Sequence, residues 1–235
     1  MSVEITFSRD NLDNCLKELG KEFRKLNGTK TSAEIILVGG AAILARYGFR
    51  EGTNDIDAVI LASSSMKEAI DRVGDKLGLP NGWLNADFKR TSSFSYKLIE
   101  VSVYYKTFSN ILTVRMISAE YLIAMKLMSG RQYKNDLSDV VGILWEHQKT
   151  GYPIPREAID IAVAALYGVG AKLPPVSKKT IDDAFTNRDY ERAYAEIRES
   201  EKLAKGILLE FDNDYPGELK GESIDSIIEQ ARRRK

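Results

Sequence analysis

Two short motifs constrain this chain most: Leu37-Val38-Gly39-Gly40-Ala41-Ala42, and Asn54-Asp55-Ile56-Asp57-Ala58-Val59, with fourteen residues between Gly40 and Asp55. Residues Glu34 to Val38 read as a buried strand that ends in the glycine pair. Ala41 to Tyr47 read as a short helix closed by Gly48, and Ile56 to Ala62 as the next strand. Successive side chains of a strand alternate faces, so Asp55 and Asp57 point the same way, about 6–7 Å apart along the chain. Two carboxylates held there, with apolar Ile56 between them turned to the core, make a seat for a hard divalent cation. The glycines let backbone approach another group closely, and the helix N-terminus beside them favours an anion such as phosphate. Together these features point to metal-assisted nucleotide chemistry.

The flanking sequence supplies the rest of an α/β (α+β) layer. Leu12, Cys15, Leu16, Leu19, Phe23 and Leu26 recur at helical spacing before Asn27-Gly28. Ser63 opens a helix over about 65–77 that Gly78 and Pro80 stop. Asn81 to Ser95 reads as irregular, and it contains Trp83-Leu84-Asn85. Tyr96 to Tyr105 and Ile111 to Arg115 read as strands joined by a hairpin through Lys106 to Asn110. Helices follow from Ser118 to about Met128 and from Asn135 or Asp136 to about His147. Beyond Gly151 no strand is expected, and helical patterns cover Arg156 to Tyr167, Lys178 to Phe185, Asp189 to Leu209 and Ser223 to Arg233. The expected organisation is a small mixed sheet flanked by helices over residues 1–150, then an all-helical domain over 151–235, with the boundary near 148–153.

Composition narrows the chemistry. With 43% hydrophobic and 29% charged residues the chain is an ordinary globular protein and not a disordered one. Its 34 basic and 34 acidic side chains cancel, so a nucleic-acid partner would be held by a local patch and not by the field of the whole molecule. The single cysteine, Cys15, leaves no internal disulfide partner and fits a reducing cytoplasm. No run is long and apolar enough for a membrane span, and the N-terminus has no signal-peptide pattern. His147 is the lone histidine, so carboxylates must do the metal or base work.

The order strand, Gly-Gly, helix, Asp-x-Asp strand resembles the signature of the nucleotidyltransferase superfamily, whose fold is that of polymerase β. Arg50-Glu51-Gly52-Thr53-Asn54-Asp55-Ile56-Asp57 is similar to the Arg-x-x-Thr-x-Asp-ϕ-Asp stretch (ϕ apolar) of AbiEii-type and related toxin nucleotidyltransferases. Met125-Lys126-Leu127-Met128-Ser129-Gly130-Arg131 with Lys134-Asn135-Asp136-Leu137-Ser138-Asp139 resembles their second block, and Trp83-Leu84-Asn85 resembles stand-alone members. The resemblance spans about residues 33–145. It implies that Gly39, Gly40, Arg50 and Thr53 contact the nucleotide and that Asp55 and Asp57 ligate magnesium, two ions in all, for which manganese can substitute. A third carboxylate is usual on a later strand, and Glu100 is the residue that the resemblance places there, as metal ligand or base.

On this reading a nucleoside monophosphate passes from an NTP to a hydroxyl acceptor, a tRNA end or a protein side chain. Lys126 would take up the charge of the departing pyrophosphate, with Arg131 and Lys134 able to reach the same phosphates. A toxin role with a cognate antitoxin as partner is the biological expectation that the resemblance carries. Plainer roles compete: Lys126 as a lysine reaching water from a packed helix, and Arg131, Lys134, Asp136 and Asp139 as an ion-pair group at a helix start. The glutamate at 100 and a motif gap longer than usual fit an alternative, an inert nucleotidyltransferase-like module that binds nucleotide or RNA. An antitoxin-like partner protein is the remaining rival.

Overall fold

The computed structural model describes residues 6–219, 221 and 224–233. By contacts the chain forms two compact units, Met1–Met125 with Glu157–Ala171, and Lys126–Arg156 with Lys172–Lys235. Sequence texture alone suggested a single cut near 148–153.

The first unit holds a mixed five-stranded sheet. Its strands are β1 (Ala33–Leu37), β2 (Ile56–Leu61), β3 (Leu84–Asn85), β4 (Ser102–Phe108) and β5 (Leu112–Ile117), in the spatial order β3-β2-β1-β5-β4. β1 runs antiparallel to β2 and parallel to β5; β3 is parallel to β2, and β4 antiparallel to β5. Helix α1 (Arg9–Asn27) opens on a capping box in which the Ser8 and Asn11 side chains each accept the other's backbone N–H. It packs against α3 (Ser65–Leu77), and Lys76 of α3 pairs with Glu18 of α1 at 2.6 Å. Leu12, Leu16, Leu19 and Phe23 on α1, Ile35 and Leu37 on β1, and Ile56 and Ala58 on β2 are all fully buried. Each large apolar side chain so placed contributes about 1.5–3 kcal/mol. Cys15 lies in the same core, and burial pushes its thiol up to about 11.

Between β1 and β2 stands the short helix α2 (Gly39–Arg46). The hairpin from β4 to β5 turns through Ser109 and Asn110, both with left-handed backbone (φ +54° and +55°). Two such residues in a row match the right-handed twist of the strands they join. Helix α6 (Arg156–Tyr167) completes this unit, and its last carbonyls are capped from a distance. Lys97 Nζ donates to Ala165 O at 2.7 Å and Ser95 Oγ to Leu166 O at 3.0 Å, while Tyr167 Oη donates to Ser93 O.

One expected strand is corrected here. Tyr96–Leu98 form a 3-10 turn, and the chain continues to turn until β4 starts at Ser102. Ser95 Oγ accepts the Lys97 N–H, and the N–H groups of Glu100 and Val101 both return to Lys97 O. Those local bonds replace the ladder that a strand over Tyr96 to Tyr105 would have made as far as Val101. A second correction concerns 81–95, where β3 and a 3-10 segment, Asp87–Arg90, stand in the stretch expected to be irregular.

The second unit is helical. It takes in the end of α4 (Ala119–Ser129, from Lys126 on), the turn after it, and then α5 (Asp136–Lys149), α7 (Pro175–Asn187), α8 (Tyr190–Asp214) and α9 (Ile224–Arg233). α5 and α8 pack together, with the Trp145 and Tyr194 rings 5.8 Å apart. Ala204 and Leu208 of α8 form a small core with Ile228 of α9. Glu201 of α8 is buried at the N-terminus of α5. Its carboxylate accepts the N–H groups of Leu137 (2.9 Å) and Ser138 (3.3 Å) and the Ser138 hydroxyl. Burial nevertheless pushes this carboxyl up to about 7, with Asp139 adding to the rise. Among the described residues no helix is long and apolar enough to cross a membrane.

Candidate functional site

β1 ends at Leu37, Val38 is extended, and the chain enters α2 directly at Gly39 with φ +55°, a backbone conformation that only glycine adopts without strain. The Val38 N–H donates to Asp57 O at 3.0 Å, which ties the turn to the start of β2. A Cβ at Gly39 would stand 3.6 Å from Asp57 Oδ2. At Gly40 the demand is stricter: a Cβ there would lie 2.7 Å from both Arg50 Nη2 and Thr53 Oγ1. Gly40 is therefore a glycine because a guanidinium and a hydroxyl press against its α-carbon. Arg50 is fixed in turn by its Nε–H, which donates to Gly52 O at 3.0 Å, and Thr53 is fixed by a two-way backbone bridge to Phe7. Five of the expected residues, Gly39, Gly40, Arg50, Thr53 and Asp57, thus converge on the first turn of α2. Asp55 lies just before β2 and is exposed; Asp57, on β2, is half-buried.

The second block builds a different arrangement inside the helical unit. Lys126 Nζ lies 2.8 Å from Asp136 Oδ1 and 2.9 Å from Asp139 Oδ2, and Arg131 Nε lies 2.8 Å from Asp136 Oδ2. The Lys126 side chain is 10% exposed and those of Asp136 and Asp139 are 0% and 3%. Burial opposes ionisation of Asp136, but Lys126 and Arg131 outweigh it and hold its carboxyl below the usual carboxylate range. Gly130 makes the turn between α4 and α5 with φ +56°, and a Cβ there would collide with Ser177 Oγ. Lys134 is exposed on the same turn. Lys126 and Arg131 are thereby joined through one buried carboxylate.

Residues 14–144, more than half of the chain, match a family described as nucleotidyltransferase of unknown function (DUF6036). The chain belongs to this family. No curated protein and no solved structure matches it. The matched stretch takes in both the Gly-Gly and Asp-x-Asp motifs and the Lys126 block, and the mixed α/β sheet agrees with a nucleotidyltransferase-like fold.

Glu100 lies in the turn that precedes β4, and among the described residues no group of three His, Cys, Asp or Glu side chains stands close enough to hold a metal ion. Asp55 and Asp57 are the carboxylates beside the glycine turn that could take part in holding a hard divalent cation. The residue paired with Asp57 across the ladder is Asn85. Its only sequence signal is its place in Trp83-Leu84-Asn85. Glu201 has no signal of its own in the sequence.

Proposed function

We propose that this chain is a magnesium-dependent nucleotidyltransferase that moves a nucleoside monophosphate from an NTP to a hydroxyl acceptor. The observation that carries the proposal is the convergence of Arg50, Thr53 and Asp57 on the glycine turn at the start of α2. The first amides of a helix have no acceptor within it and point outward, so the Gly39-Gly40 turn offers donors to phosphate oxygens. The Arg50 guanidinium beside Gly40 adds fixed positive charge there. Asp55 and Asp57 would hold the magnesium, which when bound supplies charge neutralisation to the triphosphate. In the transfer the acceptor oxygen bonds to the α-phosphorus as the bond from that phosphorus to the bridging oxygen breaks. The electron pair leaves with pyrophosphate, and the acceptor proton passes to water.

The resemblance gives Lys126, Arg131 and Lys134 the task of countering phosphate charge. Within its own unit Lys126 also neutralises Asp136 and Asp139, and Arg131 pairs with Asp136, so Lys134→Ala, at an exposed position, is the variant that tests this task with least harm to the fold. A tRNA end or a protein side chain is the proposed acceptor, and a toxin role with a cognate antitoxin the proposed setting. The inert nucleotide-binding module is the second reading, and the position of Glu100 off the sheet favours it.

The deciding assay incubates the protein with each of the four radiolabelled NTPs, magnesium, and tRNA or protein as acceptor, and follows pyrophosphate release. Asp55→Ala and Asp57→Ala should abolish it. Unchanged turnover in both variants overturns the mechanism. NTP binding without turnover on any acceptor selects the inert module. Growth arrest on expression of the chain, lost in the Asp variants, would support the toxin role.

A further inference from the structure

We infer that Asn85 occupies the third polar position of the site, so that the metal seat carries two negative charges and recruits a divalent cation chiefly as its nucleotide complex. The inference rests on the nucleotidyltransferase reading and deepens it. β3 pairs with β2 in parallel register, Leu84 beside Ile56 and Asn85 beside Asp57. Neighbouring strands lie about 4.8 Å apart, and residues side by side in a parallel pair project to the same face. Burial agrees: Leu84 and Ile56 are buried, whereas Asn85 and Asp57 are half-buried.

Asn85 is firmly placed. The Ile56 N–H donates to Trp83 O at 2.9 Å, and Trp83, 2% exposed, donates its indole N–H to Ile70 O of α3 at 3.0 Å. The Asn85 amide is itself oriented at both ends: Nδ2 donates to Gly82 O at 3.2 Å and Oδ1 accepts the Asp87 N–H at 2.9 Å. A primary amide has two N–H donors and two oxygen lone pairs, so one of each is left over by these two bonds. Asn85 therefore brings a neutral oxygen and an N–H to the neighbour position of Asp57, where an acid would bring a full charge.

The charge difference decides which metal species binds. A third carboxylate about 5 Å from a dication would strengthen its binding by at least about tenfold even with the dielectric of water. Without it the two aspartates, with the Arg50 guanidinium beside the same turn, do not outweigh the charge of one dication. A dication that arrives on a triphosphate carries phosphate oxygens as further ligands and does not need the third acid.

Manganese binding, read by electron paramagnetic resonance with and without a non-hydrolysable NTP analogue, tests this without relying on turnover. Asn85→Asp should tighten binding of free manganese by at least about tenfold. Asn85→Ala should leave free manganese binding near the wild-type value and weaken the manganese–nucleotide complex several-fold. If free manganese binds Asn85→Asp as it binds wild type, while Asp57→Asn abolishes the nucleotide complex, the assignment of Asn85 is overturned and the nucleotidyltransferase reading stands. If Asn85→Asp does not fold, unchanged manganese–nucleotide binding in Asn85→Ala overturns the assignment equally. Wild-type protein that binds no manganese–nucleotide complex, or an Asp57→Asn variant that binds it normally, overturns the underlying reading instead.

Discussion

Replacing Glu201 with glutamine should stabilise the helical unit at alkaline pH and leave it almost unchanged at acid pH. Glu201 is 3% exposed, and burial raises its carboxyl from 4.5 to about 7 in the folded chain. A carboxyl that is harder to ionise when folded contributes its full stability below pH 4.5, where both states are protonated, and loses it as pH rises through about 7. Each pH unit between the two values is worth about 1.4 kcal/mol, so the ionised form costs about 3 kcal/mol by pH 8. Glutamine can accept the Leu137 and Ser138 N–H groups through its oxygen, and the Ser138 hydroxyl can rotate to accept from the new amide. Native-state hydrogen exchange of the α5 amides measures the effect in the right place. The advantage of Glu201→Gln should be within about 0.5 kcal/mol of zero at pH 4.5 and should grow to about 3 kcal/mol at pH 8. The competing force is the helix N-terminus, which favours a negative charge by up to about 2 kcal/mol in a buried setting. If α5 in the glutamine variant is less protected than wild type at pH 8, that attraction wins and the reasoning from burial is wrong.

Lys126→Met leaves Asp136 and Asp139 buried with Arg131 alone, and thermal unfolding should show a loss of about 3–5 kcal/mol. Gly40→Ala drives a methyl group to 2.7 Å from Arg50 Nη2 and Thr53 Oγ1, so stability should fall by about 1–3 kcal/mol in a urea titration. On the proposed function, NTP affinity measured by calorimetry should fall further than stability does. Ser109→Gly, at φ +54° in the β4–β5 turn, should raise stability by about 1 kcal/mol, and an unchanged melting temperature would show that the turn relaxes.

What the sequence disclosed, it disclosed where local chemistry is restrictive. α3 ends where Gly78 takes a left-handed conformation, and α6 covers the Arg156 to Tyr167 pattern, because amphipathic period and stop signals are local. The glycine pair and Asp-x-Asp were legible for the same reason: few residue types satisfy a φ of +55° or a close-packed guanidinium. β3 escaped notice because two residues cannot display alternation, and its identity as a strand comes from pairing with Asp57. The stretch around Glu100 misled because Leu98, Ile99 and Val101 imitate a strand while Ser95 and Lys97 are engaged by α6. Lys126 was legible as a single charge in an apolar helix, but its carboxylates lie on α5, one helix further on. Glu201 could not be found at all, since the hydroxyl it engages lies 63 residues away.

The lone thiol has a practical consequence. Cys15 sits in the α1 core at 3% exposure and resists ionisation there, so thiol reagents should bypass the native chain and react only when α1 lifts from its neighbours. The rate of labelling is then a clock for the opening of the unit that carries the glycine turn, already built into the chain. A second cysteine placed on the surface would take a fluorophore at one address, with no need to remove the first.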